Sequence, residues 1–114
     1  MLYEYRRYEI TPGKAPALHK RFKEVTLPIW QRHGIRVVGF FEAYVGTNNV
    51  LHYILQWEDM AERERKWDSF QSDPEWVSKR NESEQAGPLV QRLNSELWRA
   101  TPYAEQARGG LWKG

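Results

Sequence analysis

The chain has no cysteine among its 114 residues. That excludes disulfides, thiolate metal sites and a cysteine nucleophile, and it fits a reducing compartment. No apolar run approaches the roughly eighteen residues that a membrane-spanning helix needs. No basic tract is present either. The formal charge is +2, and Arg and Lys alternate with Glu and Asp, so nothing drives electrostatic binding to nucleic acid. Phosphate-binding glycine loops, dinucleotide fingerprints and nucleophile elbows are missing, which argues against phosphate-linked cofactors. No cofactor is therefore expected. The three histidines, His19, His33 and His52, follow neither an HxH nor an HExxH spacing. A metal site would need ligands converging from separate elements, with Glu4 or Glu42 as partners. No positively charged leader precedes an apolar stretch, so the expectation is a cytoplasmic protein with no nucleic-acid or membrane partner.

What the chain does have is aromatic side chains: six Trp, six Tyr and four Phe. One domain of this length buries only a modest core. Part of that aromatic load is expected at an interface or around a pocket.

Residues 2–10, "LYEYRRYEI", read as a strand with Leu2, Glu4, Arg6, Tyr8 and Ile10 on one face. Neither face is purely apolar, which suits a wall meeting a polar cavity. Thr11 is expected to cap a helix with Pro12 in its first turn. Leu18, Phe22, Val25 and Ile29 then repeat at helical spacing. Pro28 removes a backbone donor inside that run, so it should bend the helix or divide its last turns. Gly34 after His33 reads as the left-handed residue that ends it. Residues 35–45 and 50–57 flank the turn Gly46-Thr47-Asn48-Asn49 and read as a hairpin, with Gly39 marking a bulge or a close backbone approach.

The stretch "WEDMAERERKW" at 57–67 carries seven charges between two tryptophans. Asp59 and Glu62 have capping-box spacing, and Met60, Trp67 and Phe70 return to one helical face. Most of the charges then belong to a solvated surface. Asp73-Pro74 starts a shorter helix, and Gly87-Pro88 ends that region. Residues 89–99 alternate through Leu93, Ser95 and Leu97 as a fourth strand, closed by Thr101-Pro102.

This order is α+β: a ferredoxin-like βαββαβ arrangement with an extra short helix before the last strand. Helices cover one face of the sheet. The other face, read as carrying Tyr8, Val38, Phe40, Tyr44 and Ile54, is too apolar for water, so a homodimer packed sheet to sheet as a dimeric α/β barrel is expected. The domain is read as residues 1–104. Residues 105–114 are read as a flexible tail that frays or crosses to a partner, with Trp112 as its one strong packing candidate.

Five ordered blocks resemble the NIPSNAP family: "YEYRRYEITPGK" at 3–14, "LPIWQRHGIRVVGFF" at 27–41, "WEDMAERERKW" at 57–67, "DPEW" at 73–76 and "LWRATPY" at 97–103. Glu4, Arg6, Tyr8, His33, Arg36, Trp57, Arg63, Trp67, Pro74 and Trp76 match positions characteristic of that family. The resemblance implies the dimeric ferredoxin-like fold. It implies little chemistry, since related barrels include small oxygenases, isomerases and haem-handling enzymes, and fold does not choose among them.

The residues themselves suggest a site. Glu4, Arg6 and Tyr8 share a strand face. Arg6 there can bind a carboxylate or enolate, Tyr8 can donate a hydrogen bond, and Glu4 can act as acid or base. His33, at a helix C-terminus, either satisfies terminal carbonyls or serves as a base near neutral pH. His52 faces the cavity or packs at the interface. Arg36, Phe40, Glu42 and Tyr44 share one parity on the neighbouring strand and are candidate substrate contacts. Trp57, Trp67 and Trp76 either fill the core or line a slot for a flat organic molecule. Two readings follow. One is an enzyme using side-chain acid–base chemistry (an isomerase, cyclase, dehydratase or cofactor-independent oxygenase) on a hydrophobic or aromatic substrate. The other is a homodimer that binds a metabolite or protein without turnover.

Overall fold

In a computed structural model that describes residues 1–109, the elements run β1 (Leu2–Ile10), α1 (Ala15–Arg21), a π-helical turn (Phe22–Thr26), α2 (Leu27–Arg32), β2 (Arg36–Phe41), β3 (Val50–Trp57), α3 (Met60–Gln71), α4 (Pro74–Ser83), β4 (Val90–Arg99) and α5 (Ala104–Gly109). The four strands form one antiparallel sheet in the order β2-β3-β1-β4. This is the ferredoxin-like α+β arrangement read from the sequence, with α4 as the extra helix. No helix among the described residues is long and apolar enough to cross a membrane. Trp112 lies outside the described residues, and 105–109 of the expected tail belong to the helix Ala104–Gly109.

Pro28 explains how the first helical segment divides. It has no N–H to continue the α-helical ladder. Just ahead of it the helix widens, and the Leu27 N–H bonds to the carbonyl of Phe22, five residues back. The π turn shifts the phase of everything that follows. Phe22, Thr26, Ile29 and Trp30 are all buried as a result. Gly34, at φ +70°, ends the segment as expected. The start differs from expectation. Gly13 is left-handed at φ +81° and Lys14 N–H bonds to Thr11 O at 2.9 Å, so a turn intervenes. The helix begins at Ala15, and Pro16 takes the first-turn place assigned to Pro12.

Asp59 caps α3 by accepting from the Glu62 N–H at 2.8 Å, and Glu62 returns a bond to the Glu58 N–H at 2.9 Å. Asp73 caps α4 through the N–H groups of Glu75 and Trp76.

Gly39 carries a bulge, and the register against β3 shifts between Val37 and Gly39. A Cβ at position 39 would stand 2.8 Å from the tip of the half-exposed Phe41 ring, which would have to turn aside. The bulge corrects the parity read from sequence. Phe40 pairs with Tyr53 and packs under the helices, while Val38 and Phe41 stay half exposed on the opposite face. Tyr8 is also under the helices, among Phe22 and Tyr53. β2 stops at Phe41, so Glu42 and Tyr44 lie in the exposed β2–β3 loop rather than on a strand.

The core is the helix–sheet interface. Leu51, Tyr53, Leu55 and Trp57 of β3 pack beneath Leu18, Phe22, Trp30 and Phe70. Each fully buried ring or branched chain of this kind contributes about 1.5–3 kcal/mol. The far face presents Tyr3, Tyr5, Val38, Ile54 and Trp98, with Tyr5 stacked on Trp98 at 5.0 Å between centroids.

Candidate functional site

Alternation along β1 points Glu4, Arg6 and Tyr8 into the helix layer, and register places Tyr53 of β3 opposite Arg6. The expected network among Glu4, Arg6 and Tyr8 exists, and it contains two members that sequence reading missed, Tyr53 and Arg63. It lies beneath the helices, however, and not on the face that a second sheet would cover.

Glu4 is fully enclosed. Its Oε1 accepts from Trp57 Nε1 at 3.0 Å and Arg63 Nε at 2.8 Å; its Oε2 accepts from Arg6 Nη1 at 2.8 Å and Arg63 Nη2 at 3.2 Å. Burial works against its ionisation, but the hydrogen bonds and charges of Arg63 and Arg6 outweigh it and hold the carboxyl below its ordinary range. With four donors on two oxygens, Glu4 acts as a clamp that fixes Arg6.

Arg6 Nε donates to the Tyr53 hydroxyl at 2.7 Å, and its Nη2 lies 3.5 Å from the Tyr8 oxygen. The guanidinium also sits over the Trp67 ring, 4.8 Å from the centroid. Burial opposes its charge, but Tyr53, Tyr8 and Glu4 together hold it protonated. Tyr53 and Tyr8 approach to 2.6 Å between hydroxyl oxygens. Proton counting and position orient this pair. Burial, then Tyr8, raise Tyr53 well above an ordinary phenol, so it keeps its proton. Arg6 can only donate. Each hydroxyl can donate to the other; because Tyr8 lines the cavity and Tyr53 does not, we assign the Tyr53 proton to the Tyr8 oxygen. The Tyr8 proton is left over at the end of a chain that runs Arg6, Tyr53, Tyr8.

That chain ends at a cavity of about 140 Å³. Its floor is Arg6 and Tyr8 of β1 with Leu93 of the edge strand β4. Trp30, Trp67, Phe70 and Trp76 form aromatic walls, and Phe22 and Thr26 of the π turn close one side. Arg21 and Arg80 complete the lining from α1 and α4, and the mouth opens beside exposed Gln71 and Leu93. A cavity of about 150 Å³ holds a benzene ring. Three buried donors, Trp30 Nε1, Trp76 Nε1 and Arg21 Nε, make no hydrogen bond, and all three residues line this space. Buried unpaired donors are rare.

Arg6, Tyr8, Trp67 and Trp76 of the sequence-derived site thus meet at one cavity. Trp57 is a core residue that anchors Glu4. His33 bonds to Asp73 at 2.7 Å, tying the end of α2 to the start of α4. His52 lies on the far face, bonded to Tyr5 at 2.7 Å. Arg36 pairs with Glu58 and Glu62. Phe40 packs against Trp30 and Tyr53, Glu42 faces His19 at 3.5 Å, and Tyr44 is fully exposed. Sequence reading missed Arg21, Trp30 and Arg80. Arg80 lies four residues after Trp76, and Arg21 three after Leu18, same-face spacings that pointed to both; the π turn hid Trp30.

Fold and cavity together define a ferredoxin-like α+β protein with a donor-rich pocket between its sheet and helices. The chain belongs to the NIPSNAP family, whose model matches residues 3–105. Comparison with the curated proteins gives no match. Protein Atu4242 from Agrobacterium tumefaciens is 22% identical at TM-score 0.80, covering 90% of this chain and 96% of that one. An uncharacterised NIPSNAP domain protein from Burkholderia xenovorans is 24% identical at TM-score 0.77, covering 91% and 98%. A putative antibiotic biosynthesis monooxygenase from Nitrosomonas europaea shares the fold at TM-score 0.61 with 4% identity, covering 88% and 98%. At these identities the likeness concerns the fold alone.

Proposed function

We propose that the protein takes one ring-sized, oxygen-bearing organic molecule into the helix–sheet cavity and stabilises negative charge on its oxygen. The observation that supports this is the Arg6–Tyr53–Tyr8 chain, which leaves a polarised phenolic proton at the cavity wall. A donor backed by a buried cation is strongest toward an oxygen that is gaining charge. The chemistry that fits is keto–enol isomerisation of an acidic carbonyl compound. Tyr8 and Arg6 hold the enolate oxygen, and the carbon-bound proton leaves to water at the mouth. Cofactor-independent oxygenation of an electron-rich anion is a sub-case, and one structural neighbour is described as a putative monooxygenase. Incubating a monocyclic 1,3-dicarbonyl compound in D₂O and following its α-proton by NMR tests the reading. Exchange should be faster with the protein and slowed in Tyr8→Phe; no acceleration would refute turnover.

One observation favours binding without turnover: no carboxylate or imidazole is among the residues lining the cavity. The same donors would then hold a preformed anion. In either case the far sheet face, with Val38 at 52% exposure and Trp98 at 42%, is suited to a second copy of the chain, as a homodimer closed sheet to sheet.

A further inference from the structure

We propose that the corner of the cavity formed by Arg21, Trp76 and Arg80 is a carboxylate subsite, so that the bound molecule is a monocyclic organic acid. The inference rests on the cavity being the ligand site, and adds what the ligand must carry.

The first support is charge. Three guanidinium groups line the cavity, from Arg6, Arg21 and Arg80, and no acidic side chain does. Arg6 is paired with Glu4, a carboxylate it shares with Arg63, and Arg21 is paired with Glu84 at 2.8 Å. Arg80 has no carboxylate partner among the described residues. It stands one helical turn from Trp76, on the same face of α4. One cation on the wall is therefore uncompensated.

The second support is the donors. Arg21 is 9% exposed and Trp76 7%, yet Arg21 Nε and Trp76 Nε1 have no acceptor. Leaving such a donor buried and unpaired is unfavourable, because it has given up water without gaining an acceptor. The Arg21 guanidinium lies 5.3 Å from the centre of the Trp76 ring, and its Nη1 is anchored to Ser83 and Glu84. A carboxylate beside Arg80 would neutralise that cation, and small side-chain turns would bring the Trp76 and Arg21 donors onto its two oxygens. A neutral amide of the same shape brings one carbonyl oxygen and two unwanted donors.

The third support is space. A volume near 140 Å³ admits one ring, and aromatic walls from Trp30, Trp67 and Phe70 suit its flat faces. The ring carries the carboxylate to the Arg80 corner and leaves its remaining edge to Tyr8.

The test is a tryptophan-fluorescence titration of the full chain with benzoate, benzamide and 4-nitrophenol. Benzoate should bind at least about tenfold more tightly than benzamide. Arg80→Gln and Trp76→Phe should each remove most of that preference, Arg80→Lys should restore part of it, and circular dichroism should show all three folded. If benzamide matches benzoate while 4-nitrophenol still binds, the carboxylate subsite is wrong and the cavity reading stands. If none of the three binds, both fall. Benzoate binding that Arg80→Gln leaves unchanged would also overturn the assignment.

Discussion

The Tyr53 and Tyr8 hydroxyl oxygens stand 2.6 Å apart, with Arg6 donating to Tyr53 at 2.7 Å and only Tyr8 lining the cavity, so we assign Tyr53 as donor and Tyr8 as acceptor. The pair converts a buried cation into a directed neutral donor at the cavity wall. Tyr53→Phe keeps the ring and its packing but cuts the chain. We expect the variant to fold and the affinity for an oxyanion ligand to fall about fivefold. Tyr8→Phe, which removes the terminal donor itself, should cost about 10- to 100-fold, or ~1.5–3 kcal/mol. Equal affinities for both variants and the parent would mean that the chain plays no part in binding.

Glu4 should behave as a structural anchor. Glu4→Gln removes the charge that fixes both Arg6 and Arg63. Breaking a buried ion pair from one side costs about 3–5 kcal/mol. Urea unfolding should show a loss of that order. A loss under about 1 kcal/mol would mean that the clamp contributes little.

Acid should destabilise the protein for a definable reason. The carboxyls of Glu4 and Asp73 are both held below their ordinary range in the folded chain. For Asp73 the hydrogen bond from His33 leads, against desolvation, with Arg32 and the α4 amides adding to it. A depressed folded pKa gives stability that is full above the unfolded value, about 3.9–4.3 for these groups. That stability is lost as pH falls toward and through the folded values. Melting temperature should be level above about pH 5 and fall steadily below about pH 4, and the fall should be shallower in Glu4→Gln. A profile unchanged by that substitution would show that Glu4 does not carry the effect.

The far sheet face should carry the dimer contact. Val38→Lys puts a charge in an apolar stretch that includes Ile54 and Trp98. Native mass spectrometry should find dimer for the parent chain and a shift to monomer for the variant. A parent chain that is monomeric at micromolar concentration would refute sheet-to-sheet assembly.

Much of this was legible in the sequence, and the failures have physical causes. Element order, the division of the first helix at Pro28, the caps at Asp59 and Asp73 and the left-handed Gly34 all follow from local chemistry, and local chemistry is what a sequence displays. The Glu4–Arg6–Tyr8 trio was visible as an alternation. Which side of the sheet it faced was not, because the apolar content of the two faces is similar. Phe40 was misplaced by the bulge at Gly39, which flips parity in mid-strand. Trp30 was missed because the π turn breaks the 3.6-residue period that identifies a buried helical face, and Arg21, at regular spacing from Leu18, because a charged residue reads as solvated. Tyr53 drew no reading from the sequence, since only pairing register sets it opposite Arg6. Each failure is a place where one extra residue changes a repeat, where a buried charge reads as solvated, or where only tertiary pairing assigns a partner.

The central claim is that the cavity stabilises an oxygen anion through Tyr8. The most direct measurement is the ionisation of bound 4-nitrophenol, read from its visible absorbance across a pH titration. The account predicts that the bound phenol ionises at lower pH than the free one, and that the shift shrinks in Tyr53→Phe and nearly vanishes in Tyr8→Phe. Binding as the neutral phenol, with ionisation unchanged or moved to higher pH, would contradict it.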